Sequence, residues 1–129
     1  MQTAAIVAVV AIGIVALFQI ALALGAPWGS AAYGGNNPGV LPIRLRIISA
    51  TAGVLIYPFI GFFILDVGGV IDTGLAGESS TQVWMWVLTG LFTLGAISNF
   101  ASRSRIERWW WGPVALVIAI CCGILAAGL

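Results

Sequence analysis

The side chains best placed to do chemistry in this sequence are four polar residues that interrupt long apolar runs. They are Gln19, Tyr57, Thr93 and Asn99. All four donate or accept hydrogen bonds, and none is ionised near neutral pH, so we expect no proton relay or ion coupling. Two interpretations stay open: hydrogen bonds between neighbouring helices, or the lining of a site for a small neutral or amphipathic solute.

Two residue types that carry much of membrane enzymology are missing, since the 129 residues include neither histidine nor lysine. Histidine would supply an acid, a base or a metal ligand, and lysine a Schiff base. Asp66 and Glu78 show no paired catalytic geometry, and the adjacent Cys121 and Cys122 are most simply apolar fillers. The sequence therefore predicts a protein that is not an enzyme and that uses no metal or cofactor.

The composition indicates which solvent the chain faces. With 61% hydrophobic and 7% charged residues, it lacks the polar coat of a soluble domain, and its net charge of +1 argues against nucleic-acid binding. Four apolar runs approach the ~20 residues that cross a ~30 Å hydrocarbon core as a helix. They cover about residues 4–24, 43–65, 82–101 and 109–128. We predict one all-α domain over residues 1–129, an integral membrane four-helix transmembrane bundle.

Prolines and glycines indicate how the runs are shaped and joined. Pro58 lies inside the second run and predicts a kink, whereas Pro113 is expected near the first turn of the fourth, where proline is tolerated. Residues 25–42 mix Gly, Pro and Asn with aromatic side chains. This loop is expected to hold a defined shape over one mouth of the bundle, as a lid or a docking surface. A span, a basic turn and a proline-bearing span occur twice, which suggests a parallel tandem repeat.

The arginines predict the orientation of the chain. They flank the first and third loops and are absent from the second, which is acidic. Because cytoplasmic loops carry the positive charge, both basic loops are predicted to be cytoplasmic and both termini extracytoplasmic. The same side chains either only set this topology or also bind anionic lipid head groups. They are Arg44, Arg46, Arg103, Arg105 and Arg108.

A ridge of small side chains runs along the fourth span at intervals of four residues. Its members are Ala115, Ala119, Gly123 and Ala127. Such a ridge allows two helix backbones to approach closely in lipid, where no hydrophobic force drives helices together. It serves either packing within the bundle or contact with another subunit. The predicted partners are membrane lipids, together with a larger membrane protein or further copies of this chain.

Three sequence strings resemble those of small bacterial four-helix integral membrane proteins: GAPWG (25–29), PGVLP (38–42) and SRSRIERWWWGPVAL (102–116). This resemblance implies a multi-pass protein of the bacterial cytoplasmic (inner) membrane and brings no activity with it. The size is also similar to that of small multidrug-resistance transporters, but those carry a glutamate in the first helix where this chain has only Gln19. The predicted function is a non-enzymatic accessory subunit or lipid-associated scaffold. The alternative is a transporter or channel for a small neutral or amphipathic solute.

Overall fold

The protein consists of four long helices joined by three loops, and a computed structural model describes all 129 residues. The helices are α1 (Gln2–Ala23), α2 (Ile43–Val67), α3 (Thr81–Phe100) and α4 (Glu107–Ala127), and each is long and apolar enough to cross a membrane. The chain forms no β-strand. The prediction of an all-α chain with four long apolar helices is confirmed.

The helices alternate in direction, so that both termini and the α2–α3 loop lie at one end, the terminal end. There the Gln2 side chain donates to the Gly69 carbonyl oxygen at 3.2 Å, and the Gln82 side chain donates to the Leu129 carbonyl oxygen at 3.2 Å. The α1–α2 and α3–α4 loops, with the arginines in or beside them, lie at the opposite end, the arginine end.

The four helices form a curved row, not a closed ring. Helix α1 packs against α2 and α4, and α3 packs mainly against α4, whereas α2 and α3 make almost no direct contact. The order across the row is therefore α2, α1, α4, α3. One side of the molecule, between α2 and α3, is left without helix–helix packing.

A packed core joins the helices in the half nearer the terminal end. Its buried members are Ala5, Ala8, Ala11, Ile12, Ile64, Met85, Leu88, Ile118, Cys121, Cys122, Leu125 and Ala126. Many larger apolar side chains point outward instead, such as Leu17 and Phe59, which are 69% and 70% exposed. Soluble monomers rarely expose apolar surface this extensive, so the outer surface is typical of a bundle surrounded by hydrocarbon.

Both proline-bearing helices contain a five-residue π-helical turn. In α2 the turn covers Ala52–Ile56, and in α4 it covers Glu107–Trp111; each ends two residues before the proline. Proline has no N–H to donate and its ring crowds the preceding turn, so a wider turn accommodates it. The distortion predicted at Pro58 takes this form. Pro113 follows the π-helical turn of α4, so it lies beyond the first turn of the helix, near which it was predicted.

Candidate functional site

A cavity of about 610 Å³ lies between α2 and α3, in the half of the molecule nearer the arginine end. All four helices contribute to its wall, and residues 31–34 of the first loop close its arginine end. Sites for small ligands span roughly 300–1,000 Å³, so the volume suits a molecule of that size. The wall is predominantly apolar, with contributions from Phe18, Ile56, Ile60, Leu91, Phe92 and Ile118.

The cavity opens sideways and is closed towards the terminal end. Ile56 of α2 and Leu91 of α3 line it and are 50% and 58% exposed, so they flank the opening between these two helices. Leu88 and Ile118 belong both to the cavity wall and to the packed core. The cavity is therefore accessible from the surface that surrounds the bundle, and the packed core lies between it and the terminal end.

The structure brings three of the four predicted polar residues together at the cavity. Gln19, Tyr57 and Asn99 line it. Thr93 does not, because it is exposed and its hydroxyl donates to the Thr89 carbonyl oxygen of its own helix at 2.7 Å. Gln19 and Asn99 form no hydrogen bond with each other, and Gln19 Oε1 is buried without a partner.

Trp111 lines the cavity, unlike the two tryptophans that precede it, Trp109 and Trp110. Those two side chains are 69% and 53% exposed, but the Trp111 ring turns inward and packs 4.6 Å from the Phe18 ring, centroid to centroid. Its indole Nε1 is buried and donates to nothing in the chain. The cavity wall thus contains a buried hydrogen-bond donor without a partner, Trp111 Nε1, and a buried acceptor without a partner, Gln19 Oε1.

Glu107 is a second cavity residue that the sequence interpretation missed, since it placed the segment in a basic turn. Its backbone N–H donates to Ser104 Oγ at 3.3 Å, and Ser102 Oγ donates to its Oε1 at 2.8 Å. A serine followed three residues later by glutamate is the pattern of a helix-capping box. This pattern at Ser104–Glu107 predicts the start of α4 and would have placed the carboxylate on the first turn of a helix.

A smaller polar pocket of about 430 Å³ adjoins the cavity at the arginine end. No apolar side chain lines it. Gly34, Ser98 and Glu107 line both spaces, so the two are adjacent and share part of their wall. The remaining residues of the polar pocket are Asn36, Ser102 and Arg103.

The five arginines have different surroundings. Arg46 Nε donates to the Ala23 carbonyl oxygen at 3.1 Å and so caps the C-terminus of α1. Arg108 has a buried Nε without a partner, and its guanidinium lies 6.0 Å from the centroid of the Trp109 ring. Arg44, Arg103 and Arg105 are exposed, and only Arg103 also lines the polar pocket.

The small-residue ridge of α4 faces the interior over most of its length. Ala115 and Ala119 are buried, and Ala115 lines the cavity. A methyl group added at Gly123 would lie 3.6 Å from Thr89 Cγ2 of α3, so α3 and α4 approach closely there. Ala127, at the terminal end, is exposed.

The first loop has a defined shape and is anchored to the helices at several points. The Tyr33 and Ser49 hydroxyl oxygens lie 2.8 Å apart, and Ser104 Oγ donates to the Ser30 carbonyl oxygen at 2.6 Å. A small core of Leu22, Ala32 and Leu41 lies beneath the loop. The loop is therefore fixed over the arginine end of the cavity.

The site has no arrangement suited to metal chemistry. No group of three or more His, Cys, Asp or Glu side chains lies close enough to hold a metal ion. No protein-family model, curated protein or solved structure matches this chain.

Proposed function

We propose that this protein is a non-enzymatic membrane protein that binds a membrane lipid in the cavity between α2 and α3, as a lipid-associated scaffold or accessory subunit. The observation that carries the proposal is a laterally open, apolar cavity that contains two buried, unpaired polar atoms, Gln19 Oε1 and Trp111 Nε1. The proposed location is the bacterial cytoplasmic membrane, with the arginine end in the cytoplasm and both termini outside. The apolar outer surface and the confinement of arginines to one end support this placement.

The polar atoms matter because the bilayer is the competing solvent. An acyl chain that moves from the bilayer into an apolar cavity leaves one hydrocarbon environment for another, so little hydrophobic free energy is gained. A buried polar group without a partner costs about 1–3 kcal/mol. A lipid ester carbonyl that accepts from Trp111 Nε1, or a hydroxyl that donates to Gln19 Oε1, removes this cost. Affinity therefore depends on an amphiphile that has both an apolar chain and hydrogen-bonding groups.

A glycine in the cavity wall offers a direct test. A Cβ built at Gly95 meets no atom within 4 Å, and Gly95 lines the cavity, so the side chain of Gly95→Leu has free space at its base and is expected to occupy part of the cavity. Gly90 lies in the same helix, is exposed, has equally free surroundings and does not line the cavity, so Gly90→Leu is the matched control.

The measurement is native mass spectrometry, with lipid extraction, on protein purified in mild detergent. We expect wild type and Gly90→Leu to retain a lipid, and Gly95→Leu to lose most of it. A wild-type protein without lipid, or equal retention by Gly95→Leu, would contradict the proposal. The same purification tests the accessory-subunit role, because a larger membrane protein or a defined oligomer should remain attached.

The transporter or channel alternative predicts solute flux in liposomes that Asn99→Leu abolishes. Asn99 lines the cavity, which is compatible with this alternative. The packed core beyond Leu88 and Ile118 favours binding over passage, since it leaves no continuous path to the terminal end. Flux through the purified protein would favour the alternative.

A further inference from the structure

We infer that the polar pocket recognises the head group of a zwitterionic glycerophospholipid, with Glu107 binding its primary ammonium and Arg103 its phosphate. The inference rests on the proposed lipid binding and names the chemical class of the lipid. Its structural basis is the shared wall of the apolar cavity and the adjacent polar pocket, whose lining contains one anionic and one cationic side chain.

Glu107 has the surroundings of a carboxylate that lacks its counter-ion. Its side chain is 9% exposed, and one carboxylate oxygen, Oε1, accepts from the Ser102 hydroxyl. The second oxygen accepts no hydrogen bond within the chain, and no arginine pairs with the carboxylate. A buried charge without an opposite charge is unfavourable, and a primary ammonium supplies both a positive charge and three N–H donors. The hydrogen bond from Ser102 uses one carboxylate oxygen and leaves the other for a ligand.

Arg103 supplies the opposite charge in the same pocket. Its guanidinium has donors arranged to suit a phosphate, and it is exposed and makes no hydrogen bond within the chain that would have to break first. A head group in which an ammonium follows a phosphate satisfies both side chains at once. A glycerol head group carries only the phosphate charge and leaves Glu107 without a cation.

The positions along α4 fit the layers of such a lipid. Glu107 lies at the polar pocket, Trp111 lies one turn farther into the cavity, and Ile118 lies at its closed apolar end. The lipid head group would therefore contact the charged part of the wall, the ester region the hydrogen-bonding part, and an acyl chain the apolar part. The acyl chain can leave the cavity between α2 and α3, where the cavity opens.

The test compares two lipids that differ only in the head group. Protein in detergent is supplied with equimolar phosphatidylethanolamine and phosphatidylglycerol of identical acyl chains, washed, and analysed by native mass spectrometry. Glu107→Gln removes the charge but keeps an oxygen that accepts from Ser102, so the start of α4 is preserved. Glu78→Gln is the control, since Glu78 is an exposed carboxylate in the loop at the terminal end.

We expect wild type and Glu78→Gln to prefer phosphatidylethanolamine about tenfold, the factor that one charge-assisted hydrogen bond supplies. Glu107→Gln should bind both lipids about equally. Arg103→Gln should weaken retention of both lipids, because both carry the phosphate, whereas Arg105→Gln, outside the pocket, should not.

The outcomes separate this inference from the proposed function. If wild type retains lipid that Gly95→Leu loses but shows no head-group preference, or if Glu107→Gln keeps the preference, the head-group assignment is wrong and lipid binding stands. If wild type retains neither lipid, both are wrong.

Discussion

The contact between α1 and α2 depends on Gly53, and its replacement by alanine tests the packing directly. A Cβ added at Gly53 would lie 2.8 Å from Ile20 Cγ1 and 2.9 Å from the Ala16 carbonyl oxygen. The isoleucine side chain can rotate away, but the carbonyl oxygen belongs to the backbone of α1 and can move only with that helix. The substitution therefore forces α1 and α2 apart.

Two opposing effects decide the sign of the change in stability. Glycine in a helix interior is about 1 kcal/mol less favourable than alanine, so the substitution gains up to that amount. Overpacking a close contact costs about 1–3 kcal/mol. Helices in membranes and micelles remain largely folded when they separate, so most of the propensity gain is absent from the measured difference. We expect Gly53→Ala to destabilise the bundle by about 1–2 kcal/mol.

The assay is unfolding in mixed micelles with increasing dodecyl sulfate, followed by the fluorescence of the six tryptophans. Gly90→Ala is the control, because a Cβ there meets nothing within 4 Å and the variant should match wild type or exceed it slightly. If Gly53→Ala and Gly90→Ala unfold at the same dodecyl sulfate fraction, the close approach of α1 and α2 does not exist in the folded protein.

Two further substitutions test the loops at opposite ends of the bundle. Asp66 is buried and accepts hydrogen bonds from the N–H groups of Thr73 and Ala76, each at 2.6 Å. Asp66→Asn should therefore speed hydrogen exchange in residues 68–77 while the helices stay protected. Unchanged protection of the Thr73 and Ala76 amides would contradict the role of Asp66 in holding this loop. Ser104→Ala removes the hydrogen bond to the Ser30 carbonyl oxygen and the cap of α4. Hydrogen exchange and proteolysis in residues 25–42 should therefore increase. An unaltered cleavage pattern would show that the Ser104–Ser30 hydrogen bond does not hold the first loop.

The four helices could be predicted because each rests on one strong signal, an apolar run long enough to cross hydrocarbon. The loops that join the helices could be predicted from their glycines, prolines and charged residues. Which face of each helix points inward could not be predicted in the same way. A helix that is apolar on all sides carries no periodic contrast between core and surface, so its buried face is set by packing and not by pattern. Thr93 illustrates this point, since it was expected in the site and lies outside it.

Part of the site was therefore accessible from sequence and part was not. Gln19, Tyr57 and Asn99 were identified because polar groups inside an apolar run need partners, and all three line the cavity. Trp111 was not identified, because a π-helical turn changes the direction of the side chains along it and no simple pattern predicts such a turn. Glu107 was recoverable from its capping-box spacing to Ser104.

The π-helical turns of α2 and α4 contribute different chemistry to the cavity wall. The first and last residues of both turns line the cavity; they are Ala52 and Ile56 in α2 but Glu107 and Trp111 in α4. The same backbone distortion thus presents an alkyl surface on one wall and charged and hydrogen-bonding groups on the other. A uniformly apolar molecule gains nothing by leaving the bilayer for such a space, and a uniformly polar one would have to pass the exposed Ile56 at the opening. An amphiphile satisfies both conditions.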